Sequence, residues 1–532
     1  MAQGRQVIDG REYVYEYRSV WNKEKQRSEQ KREYLGRIID GQFVPNKTSI
    51  LRAKLNKEAV TNGSSESVPV VGCRRLFAGA TYLLDRIGDV TGVTDDIRAC
   101  FPGIHRELQS LVYYLALEPC SPMYRFGRWA KTHDHPYEKD IASQRCSELL
   151  PLITEEAKMD FLKRLSKRRA ESEYLFYDST SIASYSEQLK QVKYGHRKDD
   201  SSLVQINLAL VFGQQSGLPA YYRKLPGNIT DVTTLENLLA GMSHLGMKKI
   251  CLIMDRGFYS EKNINAMFKG HHKFIIGAKI SLKIVQEQLE TLRDDFERRE
   301  NYNADTGLFI ISRMVGWTYS ESCPRSRQRV EEKRRVYMHI YYNDQKATND
   351  KLRFHKLLDS LEEEIITDKR IEAREKLYRK YYTIAKTPVR GVRIEPKQEA
   401  IDAARKNFGF FVLLSNKTKD PVEALRLYRS KDMIEKAFSD LKGRLGMRRP
   451  YVTSEENLEG KLFIQFLALT YLSYVKRAMD INGLFRDYTM QELFDELDVI
   501  EKFHQPKRSA YYGEITDKQT KLYAALGFEP PA

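Results

Sequence analysis

Residues 425–449, LRLYRSKDMIEKAFSDLKGRLGMRR, decide how the rest of the chain is read. Positions 425–441 hold neither proline nor glycine, and Gly443 is a natural stop, which predicts one continuous helix. At roughly 100° per residue, Tyr428, Lys431, Glu435 and Lys442 fall within about 60° of one another on that helix. Leu427, Met433, Ile434, Ala437, Phe438 and Leu441 fill the adjoining arc and face a core. A packed face thus runs beside a line of one tyrosine, one carboxylate and two ammonium groups. Taken alone, a solvated charged stripe would look the same. Two isolated aspartates far upstream, each where an apolar run ends, give this stripe its interest.

Working outward, 532 residues predict two to four folding units. Hydrophobic content of 41% is enough for real cores. Lys+Arg 88 against Asp+Glu 72 leaves +16, a balance that favours a polyanionic partner, nucleic acid before membrane. The cysteines (Cys73, Cys100, Cys120, Cys146, Cys251, Cys323) are scattered without a C-x-x-C pair. That spacing argues against a zinc module or a disulfide framework and suits a reducing cytoplasm. The opening MAQGRQVIDGREYVY has no apolar core of a secretory signal. The longest apolar stretch, 462–475, is too short and too polar to span a bilayer, so it predicts a buried helix and no membrane partner.

The chain divides by texture. Residues 1–70 predict a β-hairpin region, with alternating runs either side of a basic turn (Lys23, Lys25, Arg27, Lys31, Arg32) that can contact phosphate, and a linker at 60–70. Residues 71–167 predict a small helical domain, with Thr94 as a helix N-cap and room for a DNA-recognition helix. Residues 168–280 alternate strands and helices, with Asp231 and Ser260 as N-cap candidates. Three strands in a meander followed by crossovers predict a mixed sheet flanked by helices, an α/β fold. Residues 281–405 break that rhythm with β-like pieces, a long charged helix and a basic run at 325–335, and predict an inserted subdomain. The αβ pattern resumes over 406–480, and 481–532 form a C-terminal extension.

Asp178 closes the apolar run EYLFYD and Asp255 closes KKICLIMD. If those two strands are neighbours, both carboxylates point into one crevice, and Glu435 brings a third from a helix packed beside the sheet. Three carboxylates without histidine or cysteine make a hard-oxygen set suited to Mg²⁺ or Mn²⁺ rather than zinc. Two such ions can activate a water or a 3′-hydroxyl and stabilise the leaving oxygen of a phosphodiester.

YDST at 177–180, MDRGFYS at 254–260 and Y-x-x-K-x-x-x-E-x-x-x-x-x-x-K at Tyr428, Lys431, Glu435 and Lys442 resemble the DDE transposases of bacterial insertion sequences. The insertion-sequence-four type is the nearest pattern, and LPGNITDVTTL is similar to its run after the third strand. The resemblance covers roughly 173–280 and 407–475. It implies an RNase H-like fold, a metal-binding catalytic triad of Asp178, Asp255 and Glu435, and DNA-phosphate contacts from Tyr428 and Lys442. The family's arginine is Lys431 here, which keeps the charge and loses the bidentate fork. The resemblance further implies two Mg²⁺ or Mn²⁺ ions and cleavage at transposon ends with strand transfer of the 3′-hydroxyl into target DNA. It implies terminal inverted repeats and target DNA as partners, a homodimer in the synaptic complex, and a bacterial, nucleoid-associated location in the cytoplasm. An aromatic residue in the insertion would hold a flipped base, Trp317 being one candidate. Two alternatives stay open: a metal-dependent nuclease without strand joining, and an inactive transposase-derived DNA-binding protein.

Overall fold

The computed structural model describes residues 2–22, 27–39, 41–47, 49, 73–168, 173–184, 189, 191–193, 204–247, 249–322, 329–387, 391–448, 451–452, 454–506 and 508–532. The turn at 23–26, the linker at 60–70, most of the basic loop 193–198 and Arg325 and Arg327 of the basic run lie outside them. Two compact units result, one of residues 1–74 with 504–510 and one of residues 75–503 with 511–532.

The first unit is an antiparallel meander, β1 (Ala2–Ile8), β2 (Arg11–Asn22), β3 (Arg27–Ile39) and β4 (Gln42–Pro45), paired in chain order. The expected hairpin is its central pair. Asp9 and Gly10, both at positive φ, turn β1 into β2.

In the second unit, after the short strand β5 (Arg74–Phe77), helices Gly79–Thr91, Val93–Cys100, His105–Leu117 and Glu155–Lys167 pack into the same core as a large sheet. Gly92 rather than Thr94 occupies the N-cap of the second of these helices. The sheet takes β6 (Tyr174–Ala183), β7 (Gln205–Gly213), β8 (Pro219–Pro226), β9 (Cys251–Met254), β10 (Lys273–Ala278), β11 (Tyr302–Asn303), β12 (Leu308–Ser322), β13 (Arg329–Tyr342) and, after the separate hairpin β14 (Tyr382–Thr387) and β15 (Gly391–Pro396), β16 (Phe410–Ser415). Their order is β11-β12-β13-β16-β10-β9-β6-β7-β8. The meander β6-β7-β8 is antiparallel, whereas β9 and β10 run parallel to β6 and need crossovers, supplied by helices Asp231–His244 and Glu261–Lys269. β7 (QINLALVFG) is buried along its whole length, as an apolar run covered on both faces must be.

Residues 281–405 split into two parts. Their long hairpin β12–β13 joins the large sheet, β13 pairing with β16 from Tyr337↔Ser415 to Tyr342↔Phe410. Helices Asp344–Ile366, Glu375–Tyr381 and Gln398–Arg405 surround a core of their own around Phe354, Leu361, Ile365 and Tyr378. Helix Glu455–Ile481 is the expected buried helix, packed against helix His105–Leu117 and β8. Among the described residues no helix is long and apolar enough to cross a membrane.

Candidate functional site

The parallel pair β6–β9 sets the site. Its last matched residues are Tyr177 and Met254, so Asp178 and Asp255 follow at the same register on adjacent strands. Successive residues alternate faces, so both carboxylates leave the sheet on the same side. Asp178 does not end its strand as expected: β6 continues to Ala183, paired on its other edge with β7 through Asp178↔Leu210. What runs out there is the neighbour β9. Asp255 then caps a single 3₁₀ turn, Arg256–Phe258, accepting the Arg256 N–H at Oδ1 (2.8 Å).

The expected single helix is broken in two, Pro421–Arg429 and Asp432–Lys442. Ser430 and Lys431 tighten the chain between them: Lys431 N–H donates to Tyr428 C=O and Ile434 N–H to Lys431 C=O, i→i−3 bonds of 3.2 and 3.0 Å. The apolar arc survives the break. Leu427, Ile434, Ala437, Phe438 and Leu441 are buried, Met433 is partly so, and Gly443 is the C-cap.

The arrangement that results is compact. Lys431 Nζ lies 4.0 Å from Asp178 Oδ2, 3.7 Å from Asp255 Oδ2 and 3.4 Å from Glu435 Oε1. One ammonium therefore holds all three carboxylates, and its side chain is only 12% exposed. Tyr428 donates its hydroxyl to Asp255 Oδ1 at 2.8 Å. Lys442 ends the second helix two turns beyond Glu435, roughly 10 Å along the axis.

The carboxylates differ in setting. Burial pushes the Asp178 carboxyl up to about 6, against the pull of Lys431 and the Ser179 N–H. Burial also works to raise Asp255, but the Tyr428 hydroxyl, Lys431 and the Arg256 N–H outweigh it and hold that carboxyl below its ordinary range. Burial, then the charge of Asp255, push the Tyr428 phenol far upward, so it stays a proton donor. Glu435 is 57% exposed and faces solvent.

Two further neighbours shape the site, one not named from sequence and one named only as a helix cap. Gly277 on β10 makes room for the cluster: a Cβ there would meet the Tyr428 hydroxyl at 2.9 Å and the Arg256 backbone nitrogen at 3.0 Å. A glycine inside the strand FIIGAKI was its only signal. Asp231 is not the N-cap of its helix, a place taken by Thr230; its Oδ1 accepts from Ser179 Oγ at 2.5 Å, and its charge adds to the rise at Asp178. Ser260 is the expected cap, accepting from Asn263 N–H. Trp317 is 6% exposed with its Nε1–H bonded to Asn265 Oδ1 (2.8 Å), so this ring is packed away rather than offered to a base.

The donor set is all oxygen, which suits a hard divalent cation, and the Asp178 Oδ2, Asp255 Oδ2 and Glu435 Oε1 atoms all lie within 4.0 Å of one point, Lys431 Nζ. Among the described residues no three acidic, histidine or cysteine side chains stand at ligand spacing; in this cluster the Lys431 ammonium lies within 4.0 Å of an oxygen of each carboxylate. The chemistry of the donors fits a hard cation, and the position among them is taken by the Lys431 ammonium.

No curated protein matches the chain. Among solved structures, the cryo-EM structure of a piggyBac transposase synaptic complex with hairpin DNA aligns with 78% of this chain and 70% of that one, at 9% identity and a TM-score of 0.35. At that distance the likeness carries no argument about this chain. The family model of the transposase DDE domain matches residues 169–471, more than half of the chain and the whole of the site just described, and the chain therefore belongs to the DDE transposase family.

Proposed function

We propose that this transposase is of the insertion-sequence-four type, with an RNase H-like catalytic core, and that it acts by cut-and-paste transposition. Asp178, Asp255 and Glu435 are the catalytic carboxylates and the ligands of two Mg²⁺ or Mn²⁺ ions, divalent metal being the general cofactor of DDE transposase domains. The observation that carries this reading is the meeting of three carboxylates, from β6, the β9 turn and the helix after Lys431, around one ammonium. When bound, the ions supply Lewis acidity for the attacking water or 3′-hydroxyl and charge neutralisation at the leaving oxygen. The chain's own residues do the rest. Tyr428 fixes the Asp255 carboxylate by hydrogen bond. Lys431 neutralises the cluster before DNA arrives, then moves to a phosphate, and Lys442 takes a second phosphate further along the same helix. Glu435, the exposed member, is free to swing inward.

In this reading, residues 168–280 and 406–480 carry the catalytic core and 281–405 the insertion, with 481–532 as a C-terminal extension. Residues 1–70 and 71–167 bind the terminal inverted repeats, and the excess of basic residues gives salt-dependent affinity for those ends and for target DNA. A homodimer forms the synaptic complex, on the nucleoid in the bacterial cytoplasm.

The test uses DNA ends taken from the sequence flanking the gene. Asp255→Ala is expected to bind them and to lose strand cleavage in Mg²⁺; retained nicking contradicts the assignment. Precut ends then separate transposase from nuclease, since only the former yields joined product.

A further inference from the structure

The N-terminal sheet separates charge by face. Strand alternation and register put Tyr13, Tyr15, Tyr17 and Tyr34 on one side. Arg11, Arg32 and Arg37 stand on that same side. Side-chain contacts agree: Arg32 and Tyr34 both donate to Gln6 Oε1, at 2.7 and 3.3 Å, and the Arg32 guanidinium lies 4.9 Å over the Tyr15 ring. Tyr34 sits edge-on to Tyr13 and Tyr15, with ring centres 5.9 and 5.7 Å away. Glu12, Glu16 and Glu33 occupy the opposite face, where Arg5 pairs with Glu12 at 3.6 Å and Gln3 bonds Glu16. Among the described side chains of these strands, every carboxylate is on that second face.

A bulge makes the segregation possible. Pairing passes from Val14↔Gly36 to Tyr15↔Tyr34, leaving Leu35 as the extra residue of β3. Without it, the odd spacing from Tyr34 to Arg37 would turn Arg37 to the acidic side. Gly4 lies beneath the Tyr15 ring, where a Cβ would meet ring atoms at 2.9 Å, so β1 is kept bare for that aromatic layer. A cleft of about 560 Å³ opens alongside, lined by Tyr13, Tyr34, Arg37, Asn46 and Lys47.

We propose that this face binds a single DNA strand, with unpaired bases stacked on Tyr13 and Tyr34 and phosphates held by Arg11, Arg32 and Arg37. Arginines set among aromatic rings, on the face opposite Glu12, Glu16 and Glu33, complement a polyanion that carries flat apolar groups. A duplex would offer this face only its phosphates, and the tyrosines would gain nothing, because its bases are already stacked. The choice of DNA rests on the reading of the chain as a transposase.

Fluorescence anisotropy of the full-length chain with labelled oligo-dT, and with a duplex of equal length, tests the proposal. Tyr13→Ala with Tyr34→Ala is expected to weaken oligo-dT binding by about tenfold or more and to leave duplex binding within about twofold. Arg11→Gln with Arg37→Gln changes only exposed groups and keeps the test alive should the tyrosine pair unfold the sheet; it is expected to reduce the salt slope for oligo-dT by about 1.4. Glu16→Gln with Glu33→Gln, on the other face, is expected to change neither. Oligo-dT binding unchanged in both face variants, or an equal loss for duplex in the tyrosine variant, overturns the proposal, and an acidic protein partner then becomes the better occupant. Asp255→Ala separates the two readings. It is expected to bind oligo-dT normally, so cleavage by that variant would remove the catalytic assignment and leave the face standing, while unchanged binding in the face variants does the reverse.

Discussion

Gly277 shows how much of the site depends on a side chain that is not there. Its neighbours leave no space for a methyl group, and the atom nearest to such a methyl would be the hydroxyl that holds Asp255. Gly277→Ala is expected to displace Tyr428 and lower strand cleavage by at least about tenfold, while stability falls by only about 1–3 kcal/mol. Cleavage rate and urea midpoint of the same protein check both halves, and unimpaired cleavage would contradict the packing described. At this scale the sequence was legible where a motif carried it. Asp178, Asp255, Glu435, Lys431 and Tyr428 do come together. Gly277 and Asp231 were not, because nothing in a strand glycine or a helix-start aspartate says which distant atom it will touch.

At the scale of elements, the helix of 421–442 was legible in its apolar arc but not in its break. Residues 430 and 431 include no proline or glycine, and the kink comes from tight i→i−3 bonding that side-chain identity does not announce. Asp178 was legible as a strand residue but not as mid-strand, since the end that exposes it belongs to β9. Other elements are held by buried charge. Lys158 on helix Glu155–Lys167 pairs with Glu155 (2.6 Å) and with Glu459 (2.9 Å) on helix Glu455–Ile481. Lys224 on β8 pairs with Glu455 and with the same Glu459 (2.9 Å), and both lysine side chains are 5% exposed. Glu459→Ala takes one of two carboxylate partners from each of two buried ammonium groups, and a loss of about 1.5–3 kcal/mol in urea denaturation is expected; a loss below about 1 kcal/mol would mean the network is solvated. Helix Gly79–Thr91 holds a pH-sensitive group. Burial pushes the Asp85 carboxyl up to about 6 despite the hydrogen bond from Tyr113, with Asp134 and Asp89 adding to the rise and Lys502 opposing it. The folded carboxyl keeps its proton more tightly than the unfolded chain does, so this stabilisation is complete below about pH 4 and is lost as pH rises through about 6. Asp85→Asn is expected to raise stability by about 1–3 kcal/mol at pH 8 and to have little effect at pH 4. Urea midpoints at the two pH values decide it, and an effect of equal size at both would contradict it.

For the whole molecule, the α/β plan followed from the order of apolar runs. The union of parts did not. The hairpin β12–β13 lies in a segment whose charge and irregular rhythm set it apart in the sequence, yet it extends the sheet that carries Asp178 and Asp255. Strand pairing across β13 and β16 is a non-local match that hydropathy does not encode. Long-range closure of this kind also brings a helix that begins at 432 to carboxylates at 178 and 255. The central claim is that those three acids act as one unit. Mg²⁺-dependent cleavage of transposon-end DNA by Asp178→Ala, Asp255→Ala and Glu435→Ala, singly and in pairs, tests it most directly. Each single variant is expected to lose at least about 10³-fold, and the pairs to lose no more than the singles, as groups that share one task do. Any single variant that cleaves within about tenfold of the unsubstituted protein, or losses that simply add across the pairs, would contradict it.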